Sequence, residues 1–336
     1  MDFLFTPEQD EAAELAASIL EDKTTNERLK QVEAAGDRFD RELWATLGDA
    51  FDWAELDLIT LARVLVEVGR YVAPVPLATH AACLTTLVPA GIDPGPGLYA
   101  AAVAEDRAHL PERPAVTATV DGSLTGTKTL VRAGMAADTL LVTATGPEGA
   151  RVFLVAAGAA GVRREAQHTS DGDVTAMITF DGAAGRDVGD AAAFADLLVA
   201  LSAAEQLGVT EGALRLTSTY AKTREQFGRP IGTFQAVSQR LADGFIDTLA
   251  QRLTLWQAIW RLSEGLPAST EIAVAKLWAA DAGHRLAHTT AHVHGGVGID
   301  LDGEAHRYFT SPKRFEFLFG GATEQALKIG RTLANA

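Results

Sequence analysis

The sequence predicts three successive parts: an N-terminal helical domain, a small antiparallel β domain in the middle, and a C-terminal four-helix bundle. Three observations support this. Apolar residues recur at helical spacing up to about residue 88, then alternate with polar residues, and return to helical spacing from residue 191. Neither an internal repeat nor a low-complexity segment interrupts this order. We therefore expect domains at 1–96, 97–189 and 190–336.

The first helix is predicted from its start signal. Thr6 has the side chain of an N-cap, Pro7 suits the first helical position, and Gln9 stands at the third. A second amphipathic helix is expected over Leu56–Tyr71 and should end before the proline-rich segment that follows.

The middle part is predicted to form short strands, because apolar and polar residues alternate along it. A hairpin is predicted where Ala115–Val120 runs through Asp121 and Gly122 into Leu124–Lys128. Further strands are expected at Thr139–Thr145, Val152–Ala156 and Val174–Phe180. Strands at this spacing favour a small antiparallel sheet or barrel.

The last part is predicted to consist of long helices joined by short connections, as in a bundle. The expected helices are Ala191–Lys222, Thr233–Glu264, Ser269–His292 and Thr323–Leu333.

Composition excludes several classes of function. The 336 residues are 47% hydrophobic and 22% charged, which is typical of a folded protein, and the formal net charge is −15. Such an acidic chain would be repelled by nucleic acids and by anionic membrane surfaces, so we expect neither as a partner. The acidic start, the lack of an uncharged apolar run of membrane-spanning length and the single cysteine, Cys83, predict a cytoplasmic protein.

The corner between the first two bundle helices is the most informative segment. Arg224 and Arg229 flank Phe227 and Gly228, and a helix N-terminus is expected beside Thr233. Guanidinium groups, open backbone amides and an exposed ring suit a phosphate attached to a flat ring system. The alternative is an ordinary glycine- and proline-rich corner with solvated charges. A second glycine-rich segment, His292–Gly298, fits either a ligand approach or a helix C-terminus.

Three segments together resemble the C-terminal signatures of the acyl-CoA dehydrogenase family: Arg224–Gln235, His292–Gly298 and Phe319–Thr323. The order of helices, strands and bundle is similar as well. The resemblance implies an acyl-CoA dehydrogenase-like fold and FAD bound at a subunit interface. It also implies a reaction that introduces an α,β double bond into a CoA thioester.

The resemblance further implies which residues hold FAD, namely a set that would contact a flavin belonging mainly to a neighbouring subunit. These residues are Arg224, Gln226, Phe227, Phe234, His292, Gly295 and Gly296.

The chain departs from the family where the catalytic base should be. Gly320 occupies the usual position of a glutamate, and glycine has no proton acceptor. In some members the base lies at the start of the first long bundle helix, where Leu198 is the nearest equivalent and Asp196 is two residues away. We therefore expect no catalytic residue in this chain.

The middle part departs from the family too. The family's glycine- and serine-rich loop over the flavin is replaced by residues 104–114, and Leu130 and Arg132 stand where an aromatic residue and a hydroxyl would touch the flavin ring. The chain is therefore expected to have kept the half-site that serves a neighbour and to have lost its own.

This combination is similar to the short β subunits of actinobacterial heteromeric acyl-CoA dehydrogenases that degrade steroids. It implies a longer catalytic partner subunit in an α2β2 assembly, with the acyl-CoA substrate bound mainly by that partner. Two alternatives stay open: a homomeric dehydrogenase with Asp196 or Glu205 as base, and a flavin-free scaffold subunit.

The remaining candidates have simpler interpretations. His284, His288 and His292 share one helix face, but a third metal ligand is not evident, so no metal is expected. Glu324 is expected to be a first-turn acid, and Cys83 a buried, inert thiol. Three tryptophans at helical spacing are expected in the bundle core or an interface: Trp256, Trp260 and Trp278.

Overall fold

A computed structural model describes residues 4–334. Within this range the helices are α1 Pro7–Lys23, α2 Asn26–Ala34, α3 Arg41–Ala50, α4 Leu58–Arg70, α5 Leu77–Leu87, α6 Ala191–Thr223, α7 Gln235–Ser263, α8 Ser269–His294, α9 Arg307–Phe317 and α10 Ala322–Ala334. The strands are β1 Tyr99–Ala102, β2 Thr117–Ala118, β3 Ser123–Arg132, β4 Thr139–Gly146, β5 Gly149–Ala156, β6 Val162–His168, β7 Val174–Ala184, β8 Arg186–Asp190, β9 Glu225–Gln226 and β10 Arg229–Pro230.

The chain divides into two compact units. Unit 1 comprises the residues up to Ala34, Asp57–Ala73 and the residues from Ser202 onward, and unit 2 comprises Ala35–Leu56 and Pro74–Leu201. Helix α6 therefore contributes its first part to unit 2 and its longer second part to unit 1.

The predicted start of α1 is confirmed. The backbone N–H of Gln9 donates to Oγ1 of Thr6 over 3.3 Å, and the backbone N–H of Thr6 donates to Oε1 of Gln9 over 3.0 Å. These reciprocal bonds form a capping box, and Pro7 occupies the first turn, where no N–H partner is needed.

Unit 2 is built around a sheet of eight strands in the order β6-β7-β3-β2-β4-β5-β8, with β1 added against β4. Most pairs are antiparallel as predicted, but β1 and β2 both run parallel to β4. The predicted turn is present, since Gly122 has a φ of +83° and its N–H donates to the carbonyl of Thr119. The buried face includes Leu124, Leu140 and Phe180.

Three strands of this sheet, β1, β6 and β8, were not predicted, and β6 shows why. Its sequence, Val-Arg-Arg-Glu-Ala-Gln-His over Val162–His168, is too polar to give an alternating signal. The strand pairs only with β7 and forms an edge of the sheet, where polar residues are tolerated because one side faces water.

In unit 1, helices α4 and α6 touch backbone to backbone. A Cβ placed on Gly69 would lie 1.8 Å from the carbonyl oxygen of Glu205, and one placed on Gly208 would lie 1.8 Å from the carbonyl oxygen of Val66. Only glycine fits at either position. Helix α8 packs against α7, α9 and α10, so the long helices form the expected bundle.

The bundle differs from the prediction at the start of α7 and in one additional helix, α9. Residues Ile231–Thr233 form a 3-10 turn, and Oγ1 of Thr233 donates to the carbonyl of Pro230 over 2.7 Å. Thr233 therefore does not cap α7, which begins at Gln235. Helix α9 was not predicted because Pro312 lies inside it, a residue that is rare in helix interiors.

Helix α6 is long and apolar enough to cross a membrane by length and composition, but 72% of its most apolar window is buried within the protein. That burial is typical of a core helix.

Candidate functional site

The corner after α6 is a small hairpin. Strands β9 and β10 pair antiparallel, and Phe227 and Gly228 form the turn with φ angles of +55° and +75°. Two positive φ angles are typical of the tight two-residue turns that match the twist of a hairpin. The hairpin is anchored at its base, where the N–H of Ile231 donates to the carbonyl of Arg224 over 2.8 Å.

The hairpin presents aromatic and cationic groups to solvent. Phe227 is 92% exposed and meets Phe234 edge to face, with 6.0 Å between the ring centroids. The guanidinium of Arg229 lies over the ring of Phe234 at 4.2 Å. Within residues 4–334 the exposed guanidinium of Arg224 has no hydrogen-bond or ion-pair partner, so its charge is available to a ligand. Gln226 is also exposed, and its Nε2 donates to the carbonyl of Glu225.

A second arm of the site follows α8. The helix ends at His294, and Gly295 leaves it with a φ of +64°. Nothing lies within 4 Å of a Cβ built on Gly295 or on Gly296, and both residues are exposed, as is His292. Another molecule could therefore approach this backbone closely.

The two arms meet through a pair of stacked rings. Tyr220 and His294 lie 4.3 Å apart between ring centroids with an interplanar angle of 22°. Nδ1 of His294 is 2.8 Å from the carbonyl oxygen of Thr290. Burial lowers the pKa of His294 below its usual value despite this hydrogen bond, so the ring is neutral at neutral pH. Tyr220 lies four residues before Arg224, and His294 lies inside the segment His292–Gly298, but nothing in the sequence indicates that the two rings stack.

The position expected for a catalytic base has a backbone conformation and neighbours that disfavour a side chain. Gly320 has a φ of +97°, and a Cβ built there would lie 3.0 Å from Oε2 of Glu324 and 3.0 Å from Nε2 of Gln325. The Glu324 carboxylate accepts a hydrogen bond from the N–H of Gly321 over 2.8 Å. Glu324 is thus a first-turn acid of α10, as expected, and its carboxylate is already bound to the backbone.

The other carboxylates considered as bases occupy different surroundings. Leu198 is fully buried, while Asp196 is partly exposed. Because the two residues are two positions apart on α6, their side chains point to different faces of the helix. Glu205 is only 3% exposed, and its backbone carbonyl oxygen lies at the close contact between α4 and α6.

In unit 2, the loop at 104–114 is held by an internal ion pair. Nζ of Lys128 lies 2.7 Å from Oε1 of Glu105, and the Glu105 carboxylate also accepts hydrogen bonds from the N–H groups of Ala115 and Val116. Burial lowers the pKa of Lys128 to about 8. Burial would raise the pKa of Glu105, but the hydrogen bonds that it accepts from Lys128 and the backbone outweigh burial and lower it.

Leu130 and Arg132 stand where the family has residues that touch the flavin. Both make contacts within unit 2. The N–H of Leu130, whose φ is +52°, donates to Oε1 of Gln167 over 2.8 Å. The buried guanidinium of Arg132 donates to the carbonyl of Val75 and pairs with Asp173 at 2.9 Å. These groups serve the fold of unit 2.

The histidine stripe on α8 also makes internal contacts. Nδ1 of His284 lies 2.8 Å from Nζ of Lys313 and 3.1 Å from the Glu316 carboxylate, and His288 packs edge to face on Phe309. In the part of the chain that the structure describes, no three histidine, cysteine or acidic side chains are grouped to hold a metal ion.

Comparisons with known proteins show the family to which the chain belongs. The family model described as "Acyl-CoA dehydrogenase, C-terminal domain" matches residues 199–334. Acyl-CoA dehydrogenase FadE27 of Mycobacterium tuberculosis is 41% identical, over 99% of this chain and 99% of FadE27.

Two solved structures are similar over nearly the whole length. A chain of the ChsE4-ChsE5 complex from Mycobacterium tuberculosis superposes with a TM-score of 0.92, at 39% identity and over 100% of both chains. A chain of the Tcur3481-Tcur3483 steroid ACAD, in a variant form, gives a TM-score of 0.90 at 36% identity, over 98% of both chains. The predicted fold class and the resemblance stated above are thereby confirmed. The chain is a member of the acyl-CoA dehydrogenase family, whose cofactor is FAD.

Proposed function

We propose that this chain is the non-catalytic subunit of an FAD-dependent acyl-CoA dehydrogenase and completes the flavin site of a longer catalytic partner. The observation that carries the proposal is a contrast within one chain. The guanidinium of Arg224 is exposed and unpartnered among the described residues, whereas Gly320 stands at the usual position of the base and has no side chain to accept a proton.

The exposed hairpin fits the diphosphate and adenine of FAD. Arg224 offers two parallel N–H groups to a phosphate, and the edge-to-face pair of Phe227 and Phe234 offers a surface to a flat base. Gly295 and Gly296 allow a phosphate to approach the backbone. Gln226 and His292 add exposed polar groups to the two arms. FAD, when bound, accepts the hydride that leaves the β-carbon of the acyl-CoA.

Proton removal must come from the partner. A general base has to lie within hydrogen-bond distance of the substrate C–H, and position 320 offers only a hydrogen atom. Adding a side chain there is opposed by the positive φ of Gly320 and by the side chains of Glu324 and Gln325.

Unit 2 does not fit a flavin ring of its own at the positions that the resemblance implies. Lys128 and Glu105 bind each other, and Arg132 is committed to Asp173 and to a backbone carbonyl. Leu130 and Arg132 also stand where the family has an aromatic residue and a hydroxyl, so unit 2 offers a flavin ring neither of these contacts. We infer one FAD for each pair of subunits.

The exposed apolar surface of unit 1 favours assembly with another chain. Four large apolar side chains at helical spacing on α7 are between 43% and 63% exposed: Phe245, Ile246, Leu249 and Leu253. Val297, Ile299 and Leu301, which directly follow the Gly295–Gly296 arm, are exposed as well. Stripes of this kind mark interaction surfaces. The proposed assembly is α2β2, located in the cytoplasm, with most of the acyl-CoA bound by the partner.

The substrate that we propose is a CoA thioester of a steroid-derived side chain or ring fragment. Its support is the 36% identity, over nearly the full length, with a chain of a steroid ACAD.

The test is co-expression with candidate partner subunits, followed by counting flavins per purified complex. Arg224→Ala should lower the flavin content without dissociating the subunits, because it removes the charge that faces the diphosphate. Arg186→Ala is the matched control, since Arg186 is an exposed arginine on β8 with no partner among the described residues.

Each other outcome contradicts the proposal. A chain that is yellow when purified alone, and is bleached by an acyl-CoA, would be a homomeric enzyme with Asp196 or Glu205 as base. Unchanged flavin content in the Arg224→Ala complex would instead indicate a scaffold subunit that does not touch the cofactor.

A further inference from the structure

We infer that the stacked pair of Tyr220 and His294 sets the spacing between the two arms of the half-site, and that both are positioning residues for FAD binding. The inference rests on the proposed function, since it assumes that the two arms hold one cofactor. It assigns a role to two residues that would not touch the flavin themselves.

Each ring is tied directly to one arm. The carbonyl of Tyr220 accepts a hydrogen bond of 2.8 Å from the N–H of Arg224, so the ring stands one helical turn before the guanidinium that faces the ligand. His294 is the last residue of α8 and is bonded covalently to Gly295. A displacement of the backbone at either residue would therefore move its arm, and the stacked rings oppose such a displacement.

The pair continues a buried polar seam between α6 and α8. Oγ1 of Thr217 and Oγ1 of Thr290 are 3.0 Å apart, about one turn before Tyr220 and His294 on their respective helices. The hydroxyl of Thr217 also bonds the carbonyl of Ala213, and Nδ1 of His294 contacts the carbonyl of Thr290. This seam fixes the register of the two helices, and the stacked rings extend the fixed register to the point where both helices end.

The stack matters because the groups beyond it are exposed. Arg224, Phe227, Gly295 and Gly296 all lie at the surface. A cofactor that contacts both arms needs them at one separation, and arms held at that separation before binding avoid the entropic cost of ordering. The stack requires a flat ring at position 294, and it does not require that this ring be charged.

The experiment measures FAD affinity in the deflavinated complex by quenching of flavin fluorescence. His294→Ala and Tyr220→Ala should each raise the dissociation constant about tenfold, because either loses the stack. His294→Phe and Tyr220→Phe keep two flat rings and should stay within about twofold of the wild type. The double alanine variant should bind no more weakly than either single variant, since one contact is lost in all three.

A double variant with Arg224 distinguishes positioning from a merely structural role of the stack. If the stack positions Arg224, then His294→Ala should have little further effect on FAD affinity in an Arg224→Ala background. A general loss of stability would instead weaken binding by the same factor in both backgrounds.

The experiment distinguishes a failure of the proposed function from a failure of the inference about the stacked pair. If Arg224→Ala leaves FAD affinity unchanged, the proposed function is wrong. If Arg224→Ala weakens binding but His294→Ala does not, only the inference about the pair is wrong. The same conclusion follows if His294→Phe is as damaging as His294→Ala.

Discussion

Glu33 and Arg307 form a two-point ion pair: Nε of Arg307 lies 2.7 Å from Oε1 of Glu33, and a terminal nitrogen lies 2.8 Å from Oε2. Arg307 is buried at the first position of α9, and its remaining terminal nitrogen donates to Oδ1 of Asn26 over 2.7 Å. Helix α2 therefore holds the segment that leads from the Gly295–Gly296 arm into α9. A second ion pair holds the middle of that segment, with Nζ of Lys30 lying 2.8 Å from Oδ1 of Asp302.

The first prediction concerns this ion pair. Glu33→Gln should lower the free energy of unfolding by about 1–3 kcal/mol, because a buried guanidinium loses its charged acceptor. Amide hydrogen exchange over residues 299–306 should also become faster. Glu27→Gln is the control, since Glu27 is an exposed carboxylate on the same helix, and it should change neither measurement. Equal exchange rates in the two variants would contradict the assignment.

The second prediction concerns the contact between α4 and α6. Gly208→Ala should destabilise the protein by more than about 2 kcal/mol, since the new Cβ would overlap the Val66 carbonyl and force the helices apart. Gly48→Ala adds the same methyl group in the interior of α3, where nothing lies within 4 Å. That variant should be about 0.5–1 kcal/mol more stable than the wild type. Thermal unfolding of both proteins measures the difference.

The third prediction is a pH dependence. Lys276 is fully buried, its Nζ donates to the carbonyl of Phe315 over 2.5 Å, and burial lowers its pKa to about 7 from 10.5. The unfolded chain therefore binds more protons than the folded chain between pH 7 and 10.5, so stability rises with pH in that window.

Relative to Lys276→Met, the wild type should gain about 2 kcal/mol of unfolding free energy between pH 7 and pH 9. The methionine variant cannot titrate at this position, so subtracting it removes the contributions of all other groups. Lys222→Met makes the same substitution at an exposed lysine and is the control for the change of side chain. A constant difference for Lys276→Met as well would show that the ammonium is not buried in solution.

The fourth prediction concerns the missing base. Gly320→Glu should not create a second active site, because the backbone has a positive φ and Glu324 and Gln325 occupy the space. The number of flavins bleached by acyl-CoA per complex should stay unchanged. Gly320→Ala is the control for backbone strain and should cost about 1–2 kcal/mol of stability. An increase in bleached flavin with the glutamate variant would overturn this account.

Much of the fold could be predicted because local signals agree with the observed structure. The capping box of Thr6 and Gln9, the turn at Gly122 and the long apolar helix α6 are determined by neighbours in sequence. Helix α9 and strand β6 could not be predicted, because Pro312 and the polar run of β6 give signals that tertiary packing overrides.

Part of the candidate site could be singled out from the sequence. Arg224, Phe227 and Gly295 lie in conspicuous segments, and the structure brings their two arms together. Tyr220 and His294 carry no local pattern, since their significance is a contact between distant parts of the chain. The closure of position 320 likewise depends on how Gln325 folds back towards the Phe319 carbonyl, which residue types alone do not reveal.

The ring of Phe227 at the hairpin tip has a consequence for how the cell handles newly made copies. Together with the exposed apolar side chains on α7, it would be covered in the proposed complex and stays exposed in a copy made alone. Under the proposed assembly, we expect copies made in excess over the partner to be degraded, so that matched synthesis of the two polypeptides would determine how much of this one accumulates.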